Sequence, residues 1–281
     1  MRTYYMLTKP GIILGNLITT VGGFALASRG VIDFGLFIAM FLGLGLIIAS
    51  ACVCNNAIDR KADEKMARTK NRPLPQGLIS PRSALVFALV LGALGTAILA
   101  RYTSLLTLLV ALAGFFFYVV MYSIWKYRSS AGTLVGSISG AMPPVVGYCA
   151  AGGQLDVGAF LLFALLVLWQ MPHFYSIAIY RCHEYASASI PVLPVVRGMY
   201  VTKLHMLFYI LAFLATLPLL LTFHYAGYVY LITASLLGTL WLLLCIRGFK
   251  AGNDQLWART MFRFSLLVIT ALSLLISLDT L

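Results

Sequence analysis

The chain has 281 residues, of which 61% are hydrophobic and only 10% charged, with a mean hydropathy of +0.95. Average soluble domains carry roughly a quarter charged residues, so a water-soluble fold is excluded. The net charge of +12 would suit a nucleic-acid binder in a soluble domain, but in a chain this apolar the basic residues report topology, and no nucleic-acid partner is expected.

Stretches that reach the roughly 20 apolar residues of a membrane helix lie at 10–28, 34–54, 83–100, 103–123, 133–151, 157–180, 204–222, 227–246 and 262–279. They lack the alternation of a membrane strand, so the expected fold class is all-α: one domain over 1–281, a polytopic bundle of nine transmembrane helices. No small-residue cleavage site follows the long first stretch, so the N-terminus is expected to be retained.

The second stretch carries Cys52 and Cys54, spaced C-x-C with no further ligand nearby, which favours small-residue packing over a metal site. Together with Cys149, Cys182 and Cys245 they lie inside spans or on the reducing side, and no disulfide framework follows.

After it comes the longest polar connection, residues 55–82, with seven of the 20 basic residues and three of the eight acidic ones. Pro73, Pro75, Gly77 and Pro81 punctuate its end. Asn55, Asp59 and Asp63 recur every fourth residue. If the helix continues past Asn55 they form one stripe rising about 12 Å. Mg2+ takes oxygen ligands, is held by one or two carboxylates and keeps positions for water and a substrate phosphate, so this stripe is the expected Mg2+ site for a diphosphate. Arg68, Lys70 and Arg72 follow and can contact phosphate oxygens that the metal leaves free. Breaking the C–O bond of an allylic diphosphate is the step such a group would assist. The bland alternative is a solvated loop pairing its own charges, Asp59 with Arg60 and Asp63 with Lys61. Regular spacing at a helix end, in a chain almost devoid of other acids, favours the site.

Lys126 and Arg128 follow the fourth stretch, where they suit either a diphosphate or propionate contact or topology alone. In the fifth, Pro143 and Pro144 are expected to break the helix, and the freed backbone then requires a place in the bundle interior. Gly132, Gly136 and Gly140 on the same stretch permit close packing. His173, deep in the sixth, is an intramembrane histidine: an iron ligand, or a core residue donating to a carbonyl beside Pro172. Trp169, Phe174 and Tyr175 around it could shield a prenyl cation or simply pack. His183, His205 and His224 lie nearer membrane ends, where ordinary surface roles are expected. A second polar segment, YRCHEYASASIP, follows, with Arg181 and Glu184 opening on the same face as the first. The two polar segments are four spans apart, a hint of internal duplication unsupported by any residue-level repeat.

Of the 20 Lys and Arg, 18 lie on the N-terminal side of the bundle; the other side has only Arg29 and Arg101. Basic residues are retained in the cytoplasm, which places the N-terminus and both polar segments there and the C-terminus outside.

The NxxxDxxxD pattern of Asn55, Asp59 and Asp63 resembles the first aspartate-rich motif of the UbiA superfamily of intramembrane prenyltransferases. The longer string NNAIDRKADEKMARTKNRPLP is similar to the version in the heme O synthase (protoheme IX farnesyltransferase) family. TKPGIILGNLITTVGGFALAS at 8–28, GTLVGSISGAMPPVVGY at 132–148, and WQMPHFYSIAIYR with IPVLPVV within 169–196 agree with it. The resemblance spans almost the whole chain and points to bacterial enzymes that supply heme O to bo-type quinol oxidases. It implies transfer of farnesyl from farnesyl diphosphate to a vinyl group of heme B, with water added. Heme B is then a substrate, Mg2+ binds with the diphosphate, and the enzyme sits in the bacterial inner membrane beside heme-synthesis or oxidase-assembly proteins. By resemblance the metal set is Asn55, Asp59, Asp63 and Glu184, the last standing where relatives commonly have Asp. The expected catalytic group is Asn55, Asp59, Asp63, Arg68 and Lys70; the substrate-binding group is Arg72, Lys126, Arg128, His173, Arg181 and Glu184.

Two competitors share some of these features. A prenyltransferase for a quinone precursor would carry the first motif but not WQMPHF and IPVLPVV. A transporter or heme carrier would suit nine spans, but its ion-binding residues would sit at mid-membrane rather than at one face.

Overall fold

A computed structural model describes residues 2–280. Among them, nine helices are long and apolar enough to cross a membrane. A short α1 (Arg2–Leu7) precedes α2 (Pro10–Ser28), α3 (Phe34–Asp63) and α4 (Pro81–Tyr102). The fourth crossing is composite: α5 (Leu105–Phe116) runs through a π-helical segment, Phe117–Tyr122, into α6 (Ser123–Trp125). Then follow α7 (Gly132–Gly152), α8 (Val157–Tyr180), the short α9 (Cys182–Ser187), α10 (Leu193–Thr222), α11 (Tyr228–Arg247) and α12 (Asp254–Leu278).

Helix starts follow local chemistry. Asp33, Ser80, Ser104, Asp156 and Asn253 each cap a helix by accepting from a backbone N–H of its first turn. Pro10 and Pro81 occupy first turns, where no donor is lost.

All nine expected spans are present, with two early starts. The seventh begins at Leu193 instead of 204, because a short helical stretch precedes Gly198, whose non-helical φ 80° and ψ 172° interrupt α10 and kink it into the main crossing. The ninth begins at Asp254 instead of 262, its first turns being polar and capped by Asn253. The expected break at Pro143 and Pro144 is absent: α7 is continuous. Its interior position is nonetheless as expected, with both prolines buried.

Successive crossings pack side by side, and α12 returns to α2, closing a ring. α7 lies innermost, against α2, α5 and α8. Lipid offers no hydrophobic force between helices, so close backbone approach must supply the contact. A Cβ placed on Gly23 of α2 would fall 2.0 Å from Pro144 O, and one on Gly147 of α7 would fall 2.2 Å from Thr20 O. The ring encloses a cavity of about 820 Å³ walled mainly by α2, α3, α5 with its π segment, α7, α8 and α12.

Candidate active site

Because α3 stays helical through Asp63, Asn55, Asp59 and Asp63 stand one turn apart, about 6 Å per step. All three are buried and all three line the cavity.

Each is held by a cation from elsewhere in the chain. Lys126 Nζ, just beyond α6, bonds Asp59 Oδ2 at 2.5 Å, and Tyr127 donates its hydroxyl to Asp59 Oδ1 at 2.7 Å. Arg72 donates through Nη1 to Asp63 Oδ2 at 2.7 Å and to Asn56 Oδ1 at 3.3 Å. Lys9 Nζ donates to Asn55 Oδ1 at 2.7 Å, and the Tyr118 hydroxyl reaches the same oxygen at 3.4 Å. With its oxygen so occupied, the buried Asn55 Nδ2 has no partner among the described residues, a donor placed for an acceptor that the protein does not provide.

The loop after α3 folds back to make this possible. Thr69 Oγ1 donates to Asp63 O at 2.9 Å, and Leu74 and Ile79 pack with Leu7, Val53, Ala84 and Ala88. Arg72 is thereby returned over the helix end. Met66 packs with Ala188 and Ile190, so the two polar segments singled out in the sequence meet directly. Lys9 precedes α2 in a left-handed conformation, φ 52°, that is uncommon for a non-glycine residue. Asn56 Nδ2 donates to Leu7 O at 2.8 Å and fixes this approach. Burial lowers the Lys9 ammonium from its ordinary range to about 8. Burial of its hydroxyl and, after that, the Asp59 charge push the Tyr127 phenol above its usual range.

The charged residues of the cavity wall are Lys9, Arg68, Arg72, Lys126 and Arg181 against Asp59 and Asp63. Five cations facing two carboxylates, outside any single-sign cluster of acids, make an anion site that also offers hard oxygen donors. Among the described residues no three His, Cys, Asp or Glu side chains converge on a point. Metal held along this stripe would therefore draw on two carboxylates and an amide oxygen spread over two helical turns, with the other positions filled by the anion and water. That donor set fits Mg2+.

Further along, the wall is apolar and aromatic, with Leu44, Ile47, Val146 and Ile269 beside Tyr118, Tyr122, Trp169 and Phe262. The Tyr118 and Tyr122 rings stack with centroids 5.8 Å apart. They belong to the π segment, a wide turn of the kind frequent at functional sites. His173 also lines this region, its Nδ1 2.7 Å from Ser265 Oγ.

Of the residues singled out by sequence, Asn55, Asp59, Asp63, Arg68, Arg72, Lys126, His173 and Arg181 come together on one cavity. Lys70, Arg128 and Glu184 are not on its wall. Lys70 and Arg128 are exposed, and Glu184 Oε1 accepts from Arg181 at 3.0 Å rather than joining Asp59 and Asp63. Phe174 lies on the wall, whereas Tyr175 turns outward from it against His205 and Tyr209. Gly140 matters for a reason beyond packing: a Cβ there would fall 2.1 Å from Gln170 Oε1 on the wall. Sequence reading missed Lys9, Tyr118, Tyr122, Tyr127 and Gln170. The run of three tyrosines around Lys126 was a visible signal; the left-handed Lys9 left none.

The pattern of the UbiA prenyltransferase family matches residues 16–267. The chain is 55% identical over 276 residues to a protein of Protochlamydia amoebophila named protoheme IX farnesyltransferase, covering 98% of each. It is 50% identical over 280 residues to the protein of that name from Yersinia pseudotuberculosis, covering 99% of this chain and 95% of the other. Among solved structures, a digeranylgeranylglyceryl phosphate synthase superposes with a TM-score of 0.81 at 18% identity, over 99% of this chain and 97% of that one. A UbiA homolog from Archaeoglobus fulgidus bound to GPP and Mg2+ gives 0.73 at 16% identity, over 98% and 99%. At such identities these two show the shared fold.

Proposed function

The chain belongs to the UbiA prenyltransferase family, and we propose that it transfers the farnesyl group of farnesyl diphosphate to a vinyl group of heme B, with addition of water, giving heme O and diphosphate. One observation carries the reading: the oxygen stripe and its five cations form one wall of the same cavity whose remaining wall is apolar and aromatic and bears a histidine. A charged diphosphate, an apolar prenyl chain and a flat iron porphyrin each find matching surface there. The full-length relatives named protoheme IX farnesyltransferase support the choice of donor and acceptor.

Asn55, Asp59 and Asp63 would hold Mg2+, as the A. fulgidus homolog's bound Mg2+ suggests; the ion supplies charge neutralisation to the departing diphosphate. Everything else falls to side chains. Lys9, Arg72 and Lys126, released from Asn55, Asp63 and Asp59, turn to phosphate oxygens at the same place, and Arg68 adds a further guanidinium. Tyr118 and Tyr122 present π faces to the allylic cation as the C–O bond lengthens. The terminal vinyl carbon bonds farnesyl C1, the positive charge moves to the carbon next to the porphyrin, and water adds there with loss of a proton. Arg181, paired with Glu184, lines the same cavity and would take a propionate.

The protein is a multi-pass membrane protein. We place it in the bacterial cytoplasmic membrane with the acidic stripe toward the cytoplasm, on the distribution of Lys and Arg. The test is incubation of purified protein with heme B, farnesyl diphosphate and Mg2+ and mass spectrometry of the porphyrin. The expected product is heme B plus a farnesyl group and the elements of water. Unmodified heme alongside a prenylated quinone precursor overturns the reading.

A further inference from the structure

We propose that His173 Nε2 is the axial ligand that seats the heme iron, and that Ser265 is the positioning residue that fixes the imidazole in the tautomer able to ligate. The inference rests on the heme reading above and goes beyond it to a named atom.

The hydrogen-bond arithmetic around Ser265 decides the tautomer. Ser265 Oγ lies 2.6 Å from Phe262 O and 2.7 Å from His173 Nδ1. A carbonyl oxygen has only lone pairs, so a 2.6 Å approach of two oxygens requires the serine proton between them. That proton is the only one the hydroxyl has. Toward His173 the hydroxyl therefore accepts, and Nδ1 carries the hydrogen. The neutral ring then has its lone pair on Nε2, the state in which imidazole binds a metal.

Geometry leaves that lone pair free. Nε2 makes no hydrogen bond among the described residues, and His173 lines the cavity. The ring is also held in direction. Trp169 stacks on it at 4.8 Å between centroids and 24° between planes, and Phe262 covers it from 4.9 Å at 34°. Trp169 is itself pinned, donating Nε1–H to Ser265 O at 2.9 Å. A metal-binding histidine almost always donates its other N–H to a fixed acceptor, which sets tautomer, orientation and basicity. Ser265 is that acceptor here, and a core histidine with no ligand to bind would not need one nitrogen left bare in an apolar wall.

His173 on α8 and Arg181, the residue that caps its C-terminal end, are eight residues apart, which is about 12 Å along the axis. Iron on His173 would thus leave one edge of the porphyrin toward Arg181 and the rest of the ring in the cavity that Tyr118 and Tyr122 also line.

The experiment is optical and resonance Raman spectroscopy of the purified protein with heme B and no farnesyl diphosphate. Wild type is expected to show an imidazole-ligated heme with an Fe(II)–histidine stretch. His173→Ala should lose that stretch, and added imidazole should restore the ligated spectrum. Ser265→Ala should keep the histidine ligand but lower the stretching frequency, since Nδ1–H loses its acceptor; a merely structural serine would leave the frequency unchanged. Asp59→Asn should leave every spectrum as in wild type while abolishing transfer. A wild type that farnesylates heme but shows no histidine stretch, or a His173→Ala spectrum identical to wild type, overturns the ligand assignment and leaves the function standing. A wild type that neither binds nor modifies heme overturns both. If His173→Ala does not fold, the wild-type spectrum and the Ser265→Ala shift decide the matter alone.

Discussion

Lys126 Nζ and Asp59 Oδ2 lie 2.5 Å apart across 67 residues of sequence, so the side chain expected to ligate a metal is already neutralised by one expected to bind the anion. The same holds for Arg72 with Asp63 and, through an amide oxygen, for Lys9 with Asn55. Without a diphosphate, a metal must displace these cations. With one, the cations acquire phosphate oxygens and the carboxylates are released, so metal and diphosphate should bind cooperatively.

Lys126→Met should therefore act in opposite directions on binding and on turnover. Mg2+ affinity measured by calorimetry without diphosphate should rise, because Asp59 loses its competitor, while kcat falls roughly 100-fold or more from loss of a leaving-group contact. Unchanged Mg2+ affinity would show that the ion pair does not guard the site.

Asp59→Ala and Asp63→Ala should each abolish turnover while the protein stays folded and heme-bound. Removal of divalent metal with a chelator should do the same to wild type, and Mg2+ should restore it. Activity that survives either substitution removes that carboxylate from the mechanism.

Gly23→Ala should splay α2 from α7, since its Cβ would fall 2.0 Å from Pro144 O, a backbone atom that cannot move aside. Overpacking of this kind costs about 1–3 kcal/mol, read as a lowered Tm in detergent. Gly45→Ala, whose Cβ would meet only Leu17 Cδ1 at 3.7 Å, is the matched control and should leave Tm unchanged or slightly raised.

The orientation can be tested with single cysteines in a cysteine-free background. Lys250→Cys should be labelled by a membrane-impermeant thiol reagent only from the cytoplasmic side, and Arg29→Cys only from the opposite side; both positions are exposed. The reverse pattern would invert the proposed topology.

Much of this was legible before folding. Hydropathy alone located every crossing, because a bilayer demands a run of apolar residues whatever the neighbouring helices do. The four-residue recurrence of Asn55, Asp59 and Asp63 announced a shared helix face, because helical spacing is a local property. The prolines of α7 misled, since an interior helix can bear two missing donors without breaking. Lys70 stands near the motif in sequence, and Arg128 and Glu184 on later polar segments, yet all three are off the cavity wall, since a place in a loop does not fix which way the side chain turns.

The sequence by itself determined the membrane bundle, the acidic stripe and, by resemblance, the family and its substrates. Only the tertiary structure decided that Lys9, Arg72 and Lys126 converge on that stripe, that Tyr118 and Tyr122 turn inward, and that Ser265 meets His173 across 92 residues. Periodicity and hydropathy are sums over neighbours along the chain. Partner choice between helices depends on where small residues such as Gly23 and Gly147 let backbones close, and that is settled only when the ring of helices packs.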